Sequence, residues 1–303
     1  MTWVEHELGG RSLFVLPPPV EGPVPAAFLL HPMTSQVRTW FNVSPFEASP
    51  ADRLAALGLP AVLVLVDGWT AQGGGQWIGP LGTYLTDEVV PFVDARHEVS
   101  ARALAGRSSG GFGSMVWAMK RPDLFHGFAT HAGDAHFDVT YRAGFPAAAQ
   151  ALRNHYDGSL DAFWEDFRSG RPVFASRTDP MLQDVGAMAA AFSDGVLPFD
   201  VETGELVPEV WERWLAWDPV LLAPQHAEAL RGLAAIWIDA GRSDEYYLDL
   251  GATAFHRAVL AAGATVGHFE LHEGGHRGTN RRLLESVPWL VSALGGRRAS
   301  SQR

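Results

Sequence analysis

Short apolar runs recur along the chain, each bounded by turn residues. Residues 26–31 read AAFLLH and residues 61–66 read AVLVLV. Residues 103–106, 127–131, 234–239 and 265–272 continue the series. Apolar runs without polar alternation predict strands covered on both faces, as in a parallel sheet. Helical spacing fills the gaps between them. Residues 84–94 carry Leu85, Val89, Phe92 and Val93 on one side, with Pro91 expected to kink or split the helix. Residues 109–119 are small, then apolar, and residues 245–262 are long and amphipathic. Residues 279–294 carry Leu283, Leu284, Leu290 and Val291, with a bend expected at Pro288. Alternation of strand and helix over most of the chain predicts one α/β domain with right-handed crossovers.

The rhythm breaks between Ala135 and about Leu230. That stretch has helical patterns, no strand pattern, and the aromatic residues Phe163, Trp164, Phe167, Phe192, Trp211, Trp214 and Trp217. It reads as a helical, cap-like insertion at about 135–230 within a single domain spanning 1–303. An ordinary helical layer with Trp in its core is the competing reading.

Composition removes several chemistries. The chain has 303 residues, of which 47% are apolar and 19% charged, an ordinary globular balance. Lys and Arg number 23 against 34 Asp and Glu, for a net charge of −11 and no basic stripe, so no nucleic-acid partner is expected. There is no Cys, which removes disulfides, thiol nucleophiles and thiolate metal sites. Lys120 is the single lysine and does not follow a glycine-rich loop, so phosphate-loop nucleotide chemistry is out. No apolar run approaches the ~20 residues that span a bilayer, and the start of the chain, with Glu5 and Glu7, does not read as a signal peptide. A soluble, cytoplasmic protein is the expectation, although a chain whose leader had been removed would read the same way. Homo-oligomerisation is left open. The tail at 295–303 reads as frayed.

The strongest motif is Gly106-Arg107-Ser108-Ser109-Gly110-Gly111, lying after a short strand and before a helical pattern. This is G-x-S-x-G in its strand–turn–helix setting. The turn is sharp, so residues two before and two after the serine must be small. The helix that follows aims backbone N–H groups at developing negative charge. The frame selects Ser108, because a frame on Ser109 would put bulky Arg107 at a position that must be small. Serine is a weak nucleophile at its free pKa and needs a base oriented by a carboxylate. In this setting the order is Ser, then Asp or Glu, then His. Asp244 lies in the loop after the strand at 234–239 and is the leading carboxylate. Asp239 is still within the strand, and Asp249 falls in the next helix. His276, on the Gly274-Gly275 loop, is the leading base, with His272 second.

These landmarks resemble the esterase family of α/β-hydrolases that includes esterase D (S-formylglutathione hydrolase), feruloyl esterases, enterochelin esterases and the antigen 85 mycolyl transferases. Phe28-Leu29-Leu30-His31, Val66-Asp67-Gly68, Arg121-Pro122-Asp123-Leu124-Phe125, Trp217-Asp218-Pro219 and Gly274-Gly275-His276 carry the resemblance beside the serine motif, over about residues 25–135 and 210–290. It implies an α/β-hydrolase fold, no cofactor, and a Ser108–His276–Asp244 triad acting on a small-molecule ester. It also implies an oxyanion hole made by the N–H of Ser109 and one just after the first core strand, which maps to Met33. Many members have His-Gly there, whereas this chain reads His31-Pro32-Met33-Thr34, so Met33 or Thr34 must donate.

The expected activity is hydrolysis of small or medium acyl esters, with an aromatic acyl group suggested by the tryptophans of the insertion. Acyl transfer with the same triad, S-formylglutathione-type thioester hydrolysis and an inactive binding module are the alternatives. Thr34, Trp40, Trp69, Trp77, Asp134 and His136 follow strands and are candidate substrate contacts. His268, His272 and His276 recur every four residues, and His126, His131, Asp134, His136 and Asp138 form a second polar cluster. Neither has a metal-binding motif, and no metal is expected. The run Gln72-Gly73-Gly74-Gly75-Gln76 reads as a flexible loop.

Overall fold

Val, Leu and Ala side chains that must be covered on both faces set the centre of the molecule. The structure, a computed structural model, describes residues 1–172, 174 and 176–296, so the tail read as frayed falls outside it from residue 297 on. Eight strands form one sheet: β1 (Val4–Leu8), β2 (Arg11–Leu16), β3 (Val24–Leu30), β4 (Val62–Val66), β5 (Val99–Arg107), β6 (Gly127–His131), β7 (Ala235–Gly241) and β8 (His268–His272). Their order is β1-β2-β4-β3-β5-β6-β7-β8. The run from β4 to β8 is parallel, and β1 and β2 add to it antiparallel. The expected strands are all present within a few residues. The two antiparallel strands at the β1 end of the sheet carry charged and polar residues among the apolar ones, so they do not stand out as buried runs.

Helices cover both faces. In chain order they are α1 (Pro50–Ala56), α2 (Pro80–Thr83), α3 (Val90–Asp94), α4 (Ser109–Lys120), α5 (Phe137–Thr140), α6 (Phe145–Tyr156) and α7 (Leu160–Phe167). They continue with α8 (Asp179–Ser193), α9 (Pro208–Leu215), α10 (Pro219–Gln225), α11 (Ala227–Gly232), α12 (Leu248–Ala261) and α13 (Leu283–Gly295). One buried cluster, with Phe28, Phe112, Phe128 and Phe255, lies on one face of the sheet and extends into the helices between β6 and β7. The second, with Leu29, Leu63, Leu65, Trp237 and Leu290, lies on the other. The alternating assignment of neighbours such as Phe28 and Leu29 follows the two-residue period of a strand.

Proline has different effects in two helices. Between α2 and α3 the chain makes a π turn, Tyr84–Val89, just before Pro91. Pro91 has no N–H to give to a preceding carbonyl, and the wider turn takes up the mismatch. Pro288, where a bend was expected, sits inside α13, which runs on to Gly295.

The stretch between β6 and β7 contains α5 to α11, and its tryptophans pack inward. Trp214 is fully buried, stands edge-on to Tyr141 and Phe145, and donates its indole N–H to Ser193 Oγ at 2.8 Å. Trp211 packs edge-on to Phe145. The Trp217-Asp218-Pro219 landmark ties this stretch to the sheet end. Buried Asp218 accepts the N–H groups of His136, Phe137 and Val220 at 2.8–2.9 Å, capping α10 and holding the chain just past β6.

Candidate active site

The serine motif turns from β5 into α4 with Ser108 at φ 54°, ψ −125°, a strained conformation for a residue with a side chain. Close contacts explain the flanking glycines. A Cβ at Gly106 would stand 2.3 Å from the Gly110 carbonyl oxygen, and one at Gly110 would stand 2.1 Å from that of Leu30. Ser108 N–H donates to the His131 carbonyl at 3.0 Å, and the Ser108 carbonyl accepts from Phe112 N–H at 2.8 Å. The strain is thus over-determined by neighbours in both directions. Ser109 is the first residue of α4, where backbone N–H groups lack a partner within the helix.

Asp244 and His276 meet across the loops that follow β7 and β8. His276 Nδ1 lies 2.9 Å from Asp244 Oδ2. The other carboxylate oxygen accepts Tyr246 N–H at 2.9 Å, which fixes the carboxylate plane. The Asp244 side chain is fully buried and that of His276 is 13% exposed. The helix expected from residue 245 begins only at Leu248, because the preceding residues are used by this loop. Glu245 Oε2 accepts His276 N–H at 2.7 Å, and Arg107 Nη1 donates to the His276 carbonyl at 3.4 Å. The glycine-rich loop carrying the histidine is thus held through both the N–H and the carbonyl of His276.

Asp239 and His272, the second choices, go elsewhere. In the parallel register His131 sits opposite Asp239, so their side chains share a face. His131 Nδ1 lies 2.9 Å from both Asp239 oxygens and His131 Nε2 lies 2.9 Å from Ser286 Oγ on α13. Trp237 Nε1 and Arg282 Nε also donate to Asp239, at 2.7 and 3.2 Å. All three members of this Ser–His–Asp set are fully buried, so no substrate reaches it. Burial pushes the Asp239 carboxyl up, but the charge and hydrogen bond of His131, the Trp237 N–H and Arg282 overcome it and hold the carboxyl at about 2. His272 Nδ1 lies against the Glu273 carbonyl at 3.1 Å, and His268 stacks on Trp237. Among the described residues no group of three His, Asp or Glu side chains could hold a metal ion.

A cavity of about 680 Å³ opens over the turn. Ser108, Ser109, His276, Met33, Thr34 and Asp134 line it, so the structure brings these predicted residues together. Four predicted contacts do not reach it. Trp40 is buried among Leu29 and Leu63 on the opposite face of the sheet. Trp77 is buried against Gly68 and Gly113, its indole N–H on the His31 carbonyl at 3.1 Å. Trp69 is exposed, and His136 takes a left-handed turn at the start of α5 and does not line the cavity. Position after a strand puts a residue near this end of the sheet, but its backbone turn decides which way it points. None of the insertion's tryptophans lines the cavity either; Tyr141, Phe145 and Met188 do.

The loop after β3 is braced by the run read as a flexible loop. Thr34, at φ 60°, donates its N–H to the Gly73 carbonyl at 2.9 Å, and a Cβ at Gly74 would stand 3.3 Å from Met33 Cα. Only glycine lets that loop lie so close. Thr34 N–H is therefore engaged, while Met33, 8% exposed, follows a proline and lines the cavity.

Three cavity residues gave no signal in the sequence. Gln76 is 1% exposed, and its Nε2 donates to Asp134 Oδ2 at 3.2 Å and to the Tyr141 hydroxyl at 3.4 Å. Asp184 enters from α8, between β6 and β7, and Glu245 from the histidine side. Burial pushes the Asp134 carboxyl up to about 6, with Gln76 and the neighbouring His276 limiting the rise. Burial, with the nearby Asp134 charge, pushes Asp184 up to about 7. Nothing in residue order marks a helix residue from a remote insertion as a neighbour of the strand ends.

The profile of the Esterase family, described as "Putative esterase", matches residues 14–282. The chain belongs to this family. It is an ester hydrolase of the carboxylesterase type. Solved structures agree on the fold. A ferulic acid esterase superposes with TM-score 0.57 at 18% identity, covering 96% of this chain and 97% of that one. An S-formylglutathione hydrolase from Agrobacterium tumefaciens gives 0.57 at 17% identity, covering 96% and 94%. Mycobacterium tuberculosis MPT51 (FbpC1) gives 0.59 at 16% identity, covering 97% and 99%. At these identities the likeness speaks to the α/β-hydrolase fold of this esterase and not to its substrate. No curated protein matches it in sequence. No helix among its described residues is long and apolar enough to cross a membrane.

Proposed function

We propose that this esterase hydrolyses small or medium acyl esters through an acyl-enzyme on Ser108, with His276 as base and acid and Asp244 orienting it. The observation that supports the reading is that His276, 2.9 Å from buried Asp244, lines one cavity with Ser108, which sits at a strained strand-to-helix turn. Asp244 holds the imidazole with Nδ1 protonated, leaving Nε2 to take the Ser108 proton. The serine oxygen bonds to the acyl carbon, and the carbonyl electron pair moves to its oxygen. The N–H groups of Ser109 and Met33 receive that charge, Thr34 N–H being spent on Gly73. Losing one such donor typically costs ~10²–10³ in turnover. The tetrahedral species collapses, His276 gives its proton to the leaving alkoxide, and the alcohol departs. Water, deprotonated by His276, then releases the acid and restores Ser108. The helices at 135–230 act as the cap, contributing Tyr141, Phe145, Met181, Asp184 and Met188 to the cavity walls. The cavity volume lies within the range of sites for single small ligands.

The test is fluorophosphonate labelling with peptide mapping, beside a Ser108→Ala control, followed by a series of acyl esters of increasing chain length. One adduct on Ser108, absent from the control, and turnover that falls beyond medium chains is the expected result. Folded protein that takes no label, or that acts only on long-chain emulsified lipid, overturns it. Product analysis with added alcohols separates hydrolysis from acyl transfer.

A further inference from the structure

Two carboxyls in the cavity are not used by the ester chemistry. Asp134, 5% exposed, follows β6, and Asp184 projects from α8 in the insertion. Both line the same cavity as Ser108. Among the described residues Asp184 has no hydrogen-bond donor and no ion-pair partner. The charge acting on it is that of Asp134, another anion; Asp134 in turn feels His276 as an opposite charge and Asp244 as a like one. The cavity's two arginines do not offset this. Arg107 reaches the His276 carbonyl, and Arg277 is exposed at the rim.

A second observation is independent of the charges. The amide oxygen of Gln76, in a side chain 99% buried by its 1% exposure, has no donor among the described residues. Its Nε2 is fixed on Asp134, so the oxygen is an acceptor held beside that carboxyl with nothing to accept. A buried acceptor without a donor is costly, and so is a carboxyl such as Asp184 whose charged neighbour is another acid. One ligand feature answers both: a positive charge that also donates N–H bonds. The apolar lining from Tyr141, Phe145, Val185 and Met188 suits the carbon chain that would carry it.

We propose that the cavity selects esters bearing a protonated primary amine, with Asp134 and Asp184 supplying the countercharge and the Gln76 amide oxygen accepting an N–H. The proposal rests on the reading of Ser108 as the reacting serine, and its test keeps the two apart. Methyl 6-aminohexanoate, methyl heptanoate and methyl 6-hydroxyhexanoate differ only in the terminal group, and their hydrolysis is followed by acid release at pH 7.5. The same cation selectivity is read without chemistry by calorimetry of butylammonium against neutral butanol on the Ser108→Ala protein.

The ammonium ester is expected to exceed both neutral esters in kcat/KM by about tenfold or more. That ratio should collapse towards unity in Asp184→Asn, and in Asp134→Asn if that buried change folds. Butylammonium should bind Ser108→Ala and lose affinity in the Ser108→Ala/Asp184→Asn double variant. Equal or better turnover of heptanoate, together with no butylammonium binding, overturns the proposal while the hydrolase reading stands. A 6-hydroxyhexanoate preference overturns it in favour of a neutral donor. Ammonium binding without turnover of any ester supports the cation site and overturns the hydrolase reading instead.

Discussion

Replacing Asp244 and Asp239 separately by Asn should separate two Asp–His pairs of equal length. Each carboxylate lies 2.9 Å from an imidazole Nδ1, but only the His276 side faces the cavity. In Asp244→Asn the amide cannot hold the imidazole in the required tautomer, and kcat should fall ~10⁴-fold, or about 5 kcal/mol of transition-state stabilisation. Stability should change little, because Tyr246 N–H can still donate to the amide oxygen. In Asp239→Asn the cost moves to folding. The carboxylate takes contacts from His131, Trp237 and Arg282 in a fully buried setting, and removing one partner of a buried ionic set costs about 3–5 kcal/mol. For a chain of this size that is a fall in Tm of roughly 5–8 °C. Activity per folded molecule should stay within a few fold, the effect passing only through the His131 carbonyl that accepts Ser108 N–H. Calorimetric Tm and active-site-titrated kcat on both variants decide it. Loss of ~10⁴ in kcat for Asp239→Asn at unchanged Tm, with Asp244→Asn active, would refute the assignment of the two acids.

Three further outcomes follow from the same geometry. Gly110→Ala, whose Cβ would stand 2.1 Å from the Leu30 carbonyl oxygen, should lose at least about 3 kcal/mol in denaturant unfolding, well beyond an ordinary helix Gly→Ala change. The Asp239 carboxyl is held at about 2 against an ordinary 3.8, so its contribution is present above 3.8 and lost as pH falls towards 2. The stability gap between wild type and Asp239→Asn should therefore narrow over that interval in acid-titrated unfolding. Asp184, raised to about 7, has the opposite sign: the folded state is penalised as pH rises from 3.8 through 7. Asp184→Asn should stabilise the ligand-free protein at pH 8 by about 1–2 kcal/mol, discounted for the solvent reaching a half-buried side chain, and leave it unchanged at pH 4.

Much of the site was readable before the fold was known, because its residues sit at forced positions. Gly106 and Gly110 surround Ser108 because backbone carbonyls come within 2.1–2.3 Å of where a Cβ would be. Asp244 and His276 stand out by their order and their place in loops after strands, and the structure puts them 2.9 Å apart. Trp40, Trp69, Trp77 and His136 satisfied the same rule of position and still missed the cavity. A residue after a strand is placed by the sheet, while its direction is set by one or two backbone angles that residue type does not encode. The glycine-rich run at 72–76 reads as a flexible loop for the related reason that its partner, the chain at Met33 and Thr34, is remote in sequence.

The amino-acid sequence alone determined the α/β alternation, the Gly106-x-Ser108-x-Gly110 turn and the order of the Ser, Asp and His residues. Each follows from local rules: apolar runs that must be buried, a turn too tight for side chains, loops at strand ends. The tertiary structure decided what depends on register and on distant segments. Pairing His131 opposite Asp239 turned a plausible triad acid into a core residue. Hydrogen bonding Thr34 to Gly73 singled out Met33. Packing of the helices between β6 and β7 brought Asp184 to the cavity that Asp134 and Gln76 line. Cross-chain contacts of this kind are set by packing over the whole sheet, and no window of sequence contains both partners.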